Sequence, residues 1–250
     1  MRKTIVVLAL VAMGIAAGTA RSAGTFTYCT DPTFPPMELA STSGAISGFD
    51  VDMATALAKT FGESAKPLKT AFPGLIAALA AKKCDAVISG IFITPDRLKQ
   101  APAVSYMESH RVFIVKAGNP KHVTSPSGLK GLNVAVQAGT KYEEYLKAQK
   151  AKIGFNLQSY PGDNDAVAQV ILGRADVVLT QDTSFAFQAK AHPEKIAVGY
   201  TFPEKDKFGI YYRKGDALGP QIASGVKTLR SNGTLAKLAA KYKIPVGDVK

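Results

Sequence analysis

The sequence predicts an α/β protein built from two lobes. Strand-like and helical segments alternate along the chain, and this order is typical of mainly parallel sheets covered by helices. A helix followed by an aspartate that opens an apolar strand occurs twice, in "GLIAALAAKKCDAVISG" and in "AQVILGRADVVLT". Two extended segments, "HRVFIVKAGNP" between the copies and "FGIYYRKGD" after them, connect the pattern. We therefore expect two lobes, with parallel or mixed sheets, joined by a hinge of two strands.

The elements follow in order from hydrophobic spacing and from helix start and stop signals. The segment "TFTYCT" indicates a strand, and "FDVDMATALAKTFG" a helix, because Val51, Ala54, Leu57 and Ala58 recur at helical spacing. A second helix is expected to begin at Pro73, since proline fits the first turn of a helix. The apolar run "DAVISGIFI" predicts a strand that is buried on both faces of a parallel sheet. The chain is expected to end in two helices, "ALGPQIASGVKTLRSNG" and "TLAKLAAKYK".

The N-terminus predicts an exported protein. Arg2 and Lys3 precede an apolar run from Ile5 to Ala17, and small residues follow this run. The run is shorter than the ~20 apolar residues that a bilayer-spanning helix needs, so residues 1–22 are interpreted as a cleaved signal peptide. The cleavage site itself stays open. No later segment is apolar enough to span a membrane, and we expect the mature chain to be released outside the cytoplasm.

Composition and charge exclude several classes of protein. The chain is 46% hydrophobic and 20% charged, as ordinary globular proteins are. Its formal net charge of +12 comes from basic residues that are scattered and not interleaved with aromatic residues, so nucleic acid is not expected as a partner. His110, His122 and His192 show no metal-ligand spacing, and neither a metal nor a cofactor is expected.

The two cysteines are expected to lie apart. Two cysteines in an exported chain suggest a disulfide bond. Cys29, however, ends a strand-like segment and Cys84 begins one, so neighbouring parallel strands would hold them at opposite ends. A bridge needs Cα atoms within about 7 Å, which this arrangement does not give. The sequence therefore argues against a bridge, and the redox state of the pair stays open.

Arg97 is the first candidate for a functional residue. Thr94 suits an N-cap, Pro95 the first helical position and Asp96 the helix dipole, so Arg97 falls in the first turn of a helix. This helix would begin at the carboxyl edge of the sheet, where open α/β sheets bind ligands. A guanidinium group there matches a carboxylate with two parallel hydrogen bonds. The alternative is a surface arginine that pairs with Asp96 or Glu108.

The second lobe offers an anion site opposite this arginine. The segment "NVAVQAGTKYEEYLKA" predicts a strand, a short turn and a helix. Free backbone N–H groups of Gly139 and Thr140 would point into the crevice at the helix start. One carboxylate held from both lobes would then close the cleft. The alternative is an ordinary turn and helix cap.

The chain resembles the periplasmic solute-binding proteins of the polar amino acid uptake family, solute-binding protein family 3, which serve ABC importers. The segments that carry the resemblance span the mature chain: "TDPTFPPME", "GAISGFDVDMATALA", "CDAVISGIFITPDR", "VAVQAGT", "GRADVVLTQD" and "LRSNGTLAKLAAKY". The resemblance implies the two-lobed periplasmic binding protein fold of type II and a periplasmic location. We assign residues 23–108 and 211–250 to lobe 1 and residues 109–210 to lobe 2.

The resemblance also implies the ligand contacts. Phe34 and Phe72 would sandwich the ligand, Ser89 and Gly90 would meet it from a strand end, and Arg97 with Thr140 would clasp its α-carboxylate. Both aromatic residues also stand beside prolines that fix the local backbone, in "PTFPPM" and before Pro73.

Two residues depart from the family pattern at the ligand's ammonium group. Phe92 stands where a serine or threonine is usual, and Gln181 stands where an aspartate is usual, with the carboxylate moved to Asp182. A buried ammonium without an acceptor costs several kcal/mol, so Asp182, the amide oxygen of Gln181 or Asp31 would have to accept its hydrogen bonds. Asp182 could instead cap the helix that follows it. A modified amino acid or another small carboxylate therefore stays open as the ligand.

Three classes of function remain to be compared. The leading hypothesis is a monomeric binding protein that captures an amino acid or related small carboxylate by lobe closure and delivers it to a membrane permease. The alternative is a periplasmic dehydratase of the cyclohexadienyl dehydratase type, which has the same fold. The sequence places no paired carboxylates in the cleft, and Glu38 and Asp182 are the acids to test. A ligand-sensing receptor domain is the third class, and it is disfavoured.

Overall fold

The computed structural model describes residues 24–249, and the predicted signal peptide, residues 1–22, lies outside the described residues. Within the described part, the strands are β1 (Thr25–Thr30), β2 (Thr33–Phe34), β3 (Glu38–Ala40), β4 (Ile46–Ser47), β5 (Ser64–Lys69), β6 (Ala86–Val87), β7 (Ala103–Lys116), β8 (Asn133–Gln137), β9 (Asn156–Tyr160), β10 (Val177–Gln181) and β11 (Ile196–Tyr212). The α-helices are α1 (Phe49–Thr60), α2 (Leu75–Ala80), α3 (Pro95–Gln100), α4 (Lys141–Ile153), α5 (Asp163–Ile171), α6 (Asp182–Ala191), α7 (Leu218–Ser231) and α8 (Thr234–Tyr242). Among these helices, none is long and apolar enough to cross a bilayer.

A mixed sheet of eight strands organises the fold. Its strand order is β5-β1-β6-β11-β7-β10-β8-β9. The first half of the sheet, β5, β1 and β6, is parallel, and so is the second half, β10, β8 and β9. The predicted α/β class is confirmed. The two predicted sheets form one continuous sheet, because the strands between them pair with both halves.

The predicted hinge of two strands is β7 and β11. They run antiparallel from the pair Ala103 and Tyr211 to the pair Lys116 and Ile196, with irregular register near Thr201 and Lys205. Strand β11 also pairs with β6 in the first half, and β7 pairs with β10 in the second half. One predicted lobe boundary, between residues 108 and 109, lies within β7, and the other, between residues 210 and 211, lies within β11.

Helix α1 shows how spacing determines packing in the first half. Its buried apolar residues are Phe49, Met53, Ala54, Leu57 and Ala58, which recur every three or four positions and form one face. Complete burial of a leucine such as Leu57 stabilises the fold by about 1.5 to 3 kcal/mol. The prediction of this helix is confirmed.

The segment around Arg97 differs from the predicted long strand. Strand β6 contains only Ala86 and Val87, and an irregular segment continues to Thr94. Gly90 has a φ of 49°, in the left-handed region that favours glycine. Thr94 then caps α3 by accepting a hydrogen bond from the N–H of Arg97 at 3.3 Å, as predicted. The chain therefore leaves the sheet at the edge where a ligand site is expected.

The prediction against a disulfide bond was wrong. Cys29 and Cys84 form a bridge with a Cα–Cα distance of 5.7 Å. The strand begins only at Ala86, and Cys84 lies in the bend between α2 and β6. Both cysteines belong to one buried cluster with Leu75 and Leu79 of α2, on the face of the sheet that α2 covers. The prediction failed because it placed Cys84 in the plane of the sheet.

Loss of this bridge is expected to lower thermal stability. The cysteines are 55 residues apart in the chain, and a closed loop of this length constrains the unfolded state by about 4 kcal/mol. The double variant Cys29→Ala and Cys84→Ala should therefore melt on the order of 10 °C below the wild type in calorimetry. Reductant should lower the melting temperature of the wild type only. Equal melting temperatures for the two proteins under oxidising conditions would contradict this expectation.

Candidate functional site

A small cavity lies between the two halves of the structure. Its walls in the first half are Asp31, Phe34, Phe72, Gly90 and Phe92, and in the second half Gln137, Thr140, Tyr142 and Asp163. Its free volume is about 20 Å³, which is room for about one water molecule. The halves therefore have to separate before a larger molecule enters.

Direct contacts between the halves close this cavity. Gln137 Nε2 donates a hydrogen bond to Asp31 Oδ2 at 2.9 Å, and the N–H of Asp163 donates to Thr33 Oγ1 at 3.3 Å. The rings of Phe92 and Tyr142 meet edge to face, with 5.2 Å between their centroids. The structure is thus the closed arrangement of the cleft.

Glycines allow this close approach at two places. A Cβ on Gly139 would lie 2.7 Å from Pro73 Cγ, and a Cβ on Gly162 would lie 2.9 Å from Thr33 Cβ. Gly139 also has a φ of 72°, whereas Gly162 precedes α5 with an extended φ of −119°. Glycine is therefore required at position 162 because the two halves contact each other there, and the local backbone conformation would accept other residues.

Arg97 lies against two residues of the cavity wall. Its Nη1 donates to the carbonyl oxygen of Phe92 at 3.2 Å, and its guanidinium carbon lies 5.5 Å from the centroid of the Phe72 ring. Burial lowers the pKa of Arg97, because the charged form loses hydration. The guanidinium group is held in place but keeps donors for a further acceptor.

Arg97 does not form the surface ion pair with Asp96 or Glu108 that is the alternative to a ligand contact. Asp96 pairs with Lys99 at 3.0 Å and with Lys141 at 3.4 Å. Glu108 faces Lys207 at 3.6 Å. Among the ion pairs of residues 24–249, none involves Arg97.

Thr140 and Gly139 stand at the start of α4, as predicted. Thr140 lines the cavity, accepts a hydrogen bond from the N–H of Glu143 at 3.2 Å and donates its hydroxyl to the carbonyl of Gln137 at 2.7 Å. The N–H of Gly139 donates to Glu143 Oε2 at 2.9 Å, so it is not the free donor that the sequence suggested. An acid in the first turn of a helix captures such an N–H group readily. Thr140 is the part of this turn that faces the cleft.

The remaining predicted contacts of the first half divide into two groups. Phe34, Phe72 and Gly90 line the cavity, and the Phe34 ring lies directly over Gly90. Ser89 lies behind this wall, because its hydroxyl donates to Glu38 Oε1 at 3.0 Å and accepts from the N–H of Asp31 at 2.8 Å. Ser89 thus positions other residues of the wall.

The residues predicted for the ammonium group lie in different places. Asp182 accepts hydrogen bonds from the Ser109 hydroxyl and from the N–H of His110, so it joins α6 to the hinge strand β7. Gln181 is buried, donates through Nε2 to the hydroxyl of Tyr142, and its Oε1 has no donor among the described residues. Asp31 lines the cavity, and burial raises its pKa to about 6.

The cavity also contains residues that the sequence did not single out. Asp163 is buried at the start of α5, where its carboxylate accepts from the hydroxyls of Thr180 at 2.5 Å and Ser184 at 2.7 Å. Burial raises the pKa of Asp163 to about 6. Tyr142 and Gln137 complete the wall. The segment "PGDND" indicates a helix start, and this was the signal available for Asp163.

The fold and this cleft are those of a two-lobed solute-binding protein. The family model of bacterial extracellular solute-binding proteins, family 3, matches residues 26–244. The chain therefore belongs to this family, and the predicted resemblance is confirmed.

Individual relatives agree with this assignment. The arginine-binding periplasmic protein of Mannheimia haemolytica is 31% identical over 218 residues, which are 85% of this chain and 88% of that protein. An ancestral arginine-binding protein bound to arginine superposes with a TM-score of 0.83 at 31% identity, over 88% of this chain and 98% of that one. An ancestral amino acid-binding protein, a precursor of cyclohexadienyl dehydratase, superposes with a TM-score of 0.79 at 32% identity, over 88% and 95% of the two chains.

A side chain at Gly162 is expected to hold the cleft open. In Gly162→Val the new side chain would collide with Thr33 of the opposite half, while an extended backbone at this position accepts valine without strain. Small-angle X-ray scattering should therefore give a larger radius of gyration than for the wild type.

Gly247→Val is the matched control, because a Cβ at Gly247 meets no atom within 4 Å. Its scattering curve should coincide with that of the wild type. A Gly162→Val curve that also coincides would mean that this contact does not limit closure.

Proposed function

We propose that the protein is the periplasmic receptor of an ABC importer, which binds an amino acid by closing its two halves and presents it to a membrane permease. The observation that carries this proposal is the set of charged groups at the cavity. A partly buried arginine with unused donors lies against one wall, and two buried carboxylates, Asp31 and Asp163, line the cavity. A zwitterion needs groups of both signs.

The carboxylate end of the ligand is assigned to Arg97 and Thr140. Arg97 belongs to the first half and Thr140 to the second, so a carboxylate between them would contact both halves only when the cleft is closed. A ligand shifts a conformational equilibrium by its differential affinity for the two states. The contact across the cleft is therefore what converts binding into closure.

The ammonium end is assigned to Asp31, Asp163 and the amide oxygen of Gln181. The first two line the cavity, and Gln181 Oε1 is a buried acceptor without a donor among the described residues. An unpaired buried acceptor is costly, and an ammonium group would satisfy it. Asp182 is not included, since its oxygens are engaged by the hinge strand.

The balance of charge favours a cationic amino acid. Asp31 and Asp163 contribute two negative charges when ionised, and Arg97 contributes one positive charge. A zwitterion leaves one negative charge in this buried site, whereas an amino acid with a basic side chain neutralises it, and an unpaired buried charge is unfavourable. Relatives that are named for arginine binding agree with this choice. We therefore propose L-arginine as the first ligand to test.

A dehydratase reaction is not proposed. Glu38 and Asp182, the acids considered for such chemistry, do not line the cavity, since Glu38 is fully buried behind Ser89. The acids that do line it already accept hydrogen bonds from neighbouring side chains. Incubation with prephenate or arogenate, followed by measurement of the remaining substrate, tests this directly. Turnover would refute the binding-only function.

Removal of the Arg97 guanidinium is expected to abolish ligand binding. Each charge-assisted hydrogen bond contributes about 1.5 to 3 kcal/mol, and its loss weakens affinity at least about tenfold. L-arginine should raise the melting temperature of the wild type, because a ligand that binds only the folded form stabilises it. Arg97→Ala should give no shift at the same concentration.

The matched control for this experiment is Arg174→Ala, at an exposed arginine outside the cavity. This variant should respond to L-arginine as the wild type does. An undiminished shift in Arg97→Ala would remove Arg97 from the binding site.

Neutralisation of Asp31 is expected to change selectivity. Asp31→Asn keeps an acceptor for Gln137 but removes a negative charge, so L-arginine should lose at least about tenfold in affinity by calorimetry near pH 8, a loss of about 1.4 kcal/mol. L-glutamine, which has a neutral side chain of related shape, should lose less. Equal losses for both ligands would mean that the charge of Asp31 does not set the preference for a cationic amino acid.

A further inference from the structure

Behind the wall of the cleft lies a pair of buried carboxyl groups. Glu38 of β3 and Asp50 of α1 are both fully buried. Glu38 Oε1 accepts from the Ser89 hydroxyl at 3.0 Å. Asp50 Oδ2 accepts from the N–H of Gly90 at 2.7 Å and from the Tyr106 hydroxyl at 2.9 Å. These contacts use one oxygen of each carboxyl group.

Within residues 24–249, the other oxygen of each carboxyl group lacks a hydrogen-bond donor. Glu38 Oε2 and Asp50 Oδ1 are buried without a donor among the described residues. The N–H of Asp50 donates to the carbonyl of Met37 at 2.9 Å, which brings Asp50 beside Glu38, and each carboxyl group affects the other's pKa. One proton between them would give both oxygens a hydrogen bond. Two ionised carboxylates would leave both unsatisfied.

No basic side chain of the described residues forms an ion pair with Glu38 or Asp50. The guanidinium group of Arg230 in this region contacts the carbonyl of Tyr106, at 3.4 Å. The titratable groups that interact with the pair are Tyr28, Asp31 and Tyr106, and all of these are neutral or negative. Burial raises the pKa of both carboxyl groups, and the charge of Asp50 raises that of Glu38 further. A doubly ionised pair is therefore strongly disfavoured.

The pair is connected to the cleft by short steps. Asp50 holds the N–H of Gly90, which lines the cavity beneath the Phe34 ring. Glu38 holds the Ser89 hydroxyl, which in turn accepts from the N–H of Asp31. The positions of Gly90 and Asp31 at the cavity therefore depend on where the two carboxyl groups lie.

We propose that Glu38 and Asp50 share one proton, and that this singly ionised pair positions Ser89 and Gly90 at the wall of the ligand cleft. Glu38 and Asp50 are positioning residues and do not touch the ligand. The consequence for ligand affinity rests on the proposed function, whereas the shared proton does not. When the proton is lost, repulsion between the two carboxylates would displace the segment, so affinity would fall at alkaline pH.

The effect on stability has a definite sign. A carboxyl group in the unfolded chain has a pKa near about 4.3, and the folded pKa of Glu38 lies above this value. Its contribution to stability is thus fully present below the unfolded pKa and is lost as the pH rises through the folded pKa. Glu38→Gln cannot titrate. Its stability relative to the wild type should therefore increase as the pH rises above about 4.3.

Infrared spectroscopy of the full mature chain at about pH 8 tests the shared proton without any ligand. Ordinary carboxyl groups are ionised at this pH, and so are Asp31 and Asp163, whose pKa values are about 6. The wild type should still display the C=O stretching band of a protonated carboxyl. Glu38→Gln should lack this band, because the remaining Asp50 has a pKa of about 6, whereas the control Asp163→Asn should retain it. A wild type without the band, or a Glu38→Gln spectrum that retains it, overturns the proposal.

Hydrogen exchange of the Gly90 amide tests the positioning role. Glutamine mimics the protonated form of Glu38, so Glu38→Gln should fold and should protect the Gly90 amide as the wild type does. Glu38→Leu fills the space without hydrogen bonds and should exchange this amide at least about tenfold faster, because local opening becomes easier. Failure of Glu38→Gln to fold, or full protection in Glu38→Leu, contradicts the proposal. Neither readout depends on whether the cleft binds an amino acid.

Discussion

The antiparallel pairing of β7 with β11 is the constraint on which the rest of the structure depends. These strands join the two parallel halves into one sheet, since β11 pairs with β6 and β7 pairs with β10. Their register is irregular between Thr201 and Lys205, opposite Val112 and His110. The register also shifts between Val198 and Tyr200 and between Phe208 and Gly209, and an irregular stretch between two halves is where a hinge absorbs changes in backbone angles. Asp182 fastens α6 to this stretch, so motion at the hinge carries α6 with it.

Under the proposed function, polar groups at the cleft contribute more to ligand recognition than apolar area does. Aromatic rings form much of its wall, and apolar contact alone discriminates weakly between ligands of similar shape. Arg97, Asp31 and Asp163 are fixed by hydrogen bonds to the backbone or to neighbouring side chains, so they do not reorganise when a ligand arrives. Fixed donors and acceptors reject a ligand that leaves them unpaired. This preorganisation has a cost in stability, which the raised pKa values of both carboxyl groups reflect.

The sequence predicted what depends on local pattern and missed what depends on packing in three dimensions. The helix α1 and the position of Arg97 behind the cap at Thr94 follow from spacing and capping, and both were correct. The disulfide bond was missed because Cys84 lies in a bend outside the plane of the sheet, and strand order alone does not describe that bend. Asp163 was missed because an acid at a helix start is common, and only the approach of Thr33 from the other half distinguishes it.

Under the proposed function, the hydrogen bond between Gln137 and Asp31 affects both the free energy of closure and the affinity for the ligand. In the closed arrangement a neutral amide of one half satisfies a carboxylate of the other, at 2.9 Å. Hydrogen bonds of this kind stabilise closure and so raise the population of the binding-competent form, which strengthens apparent affinity. The same bond competes with any ligand that needs Asp31. A cationic donor forms the stronger, charge-assisted hydrogen bond and displaces the amide, whereas a neutral donor gains little by doing so. Under the proposed function, closure without ligand and selectivity for a positive charge are therefore two results of one hydrogen bond.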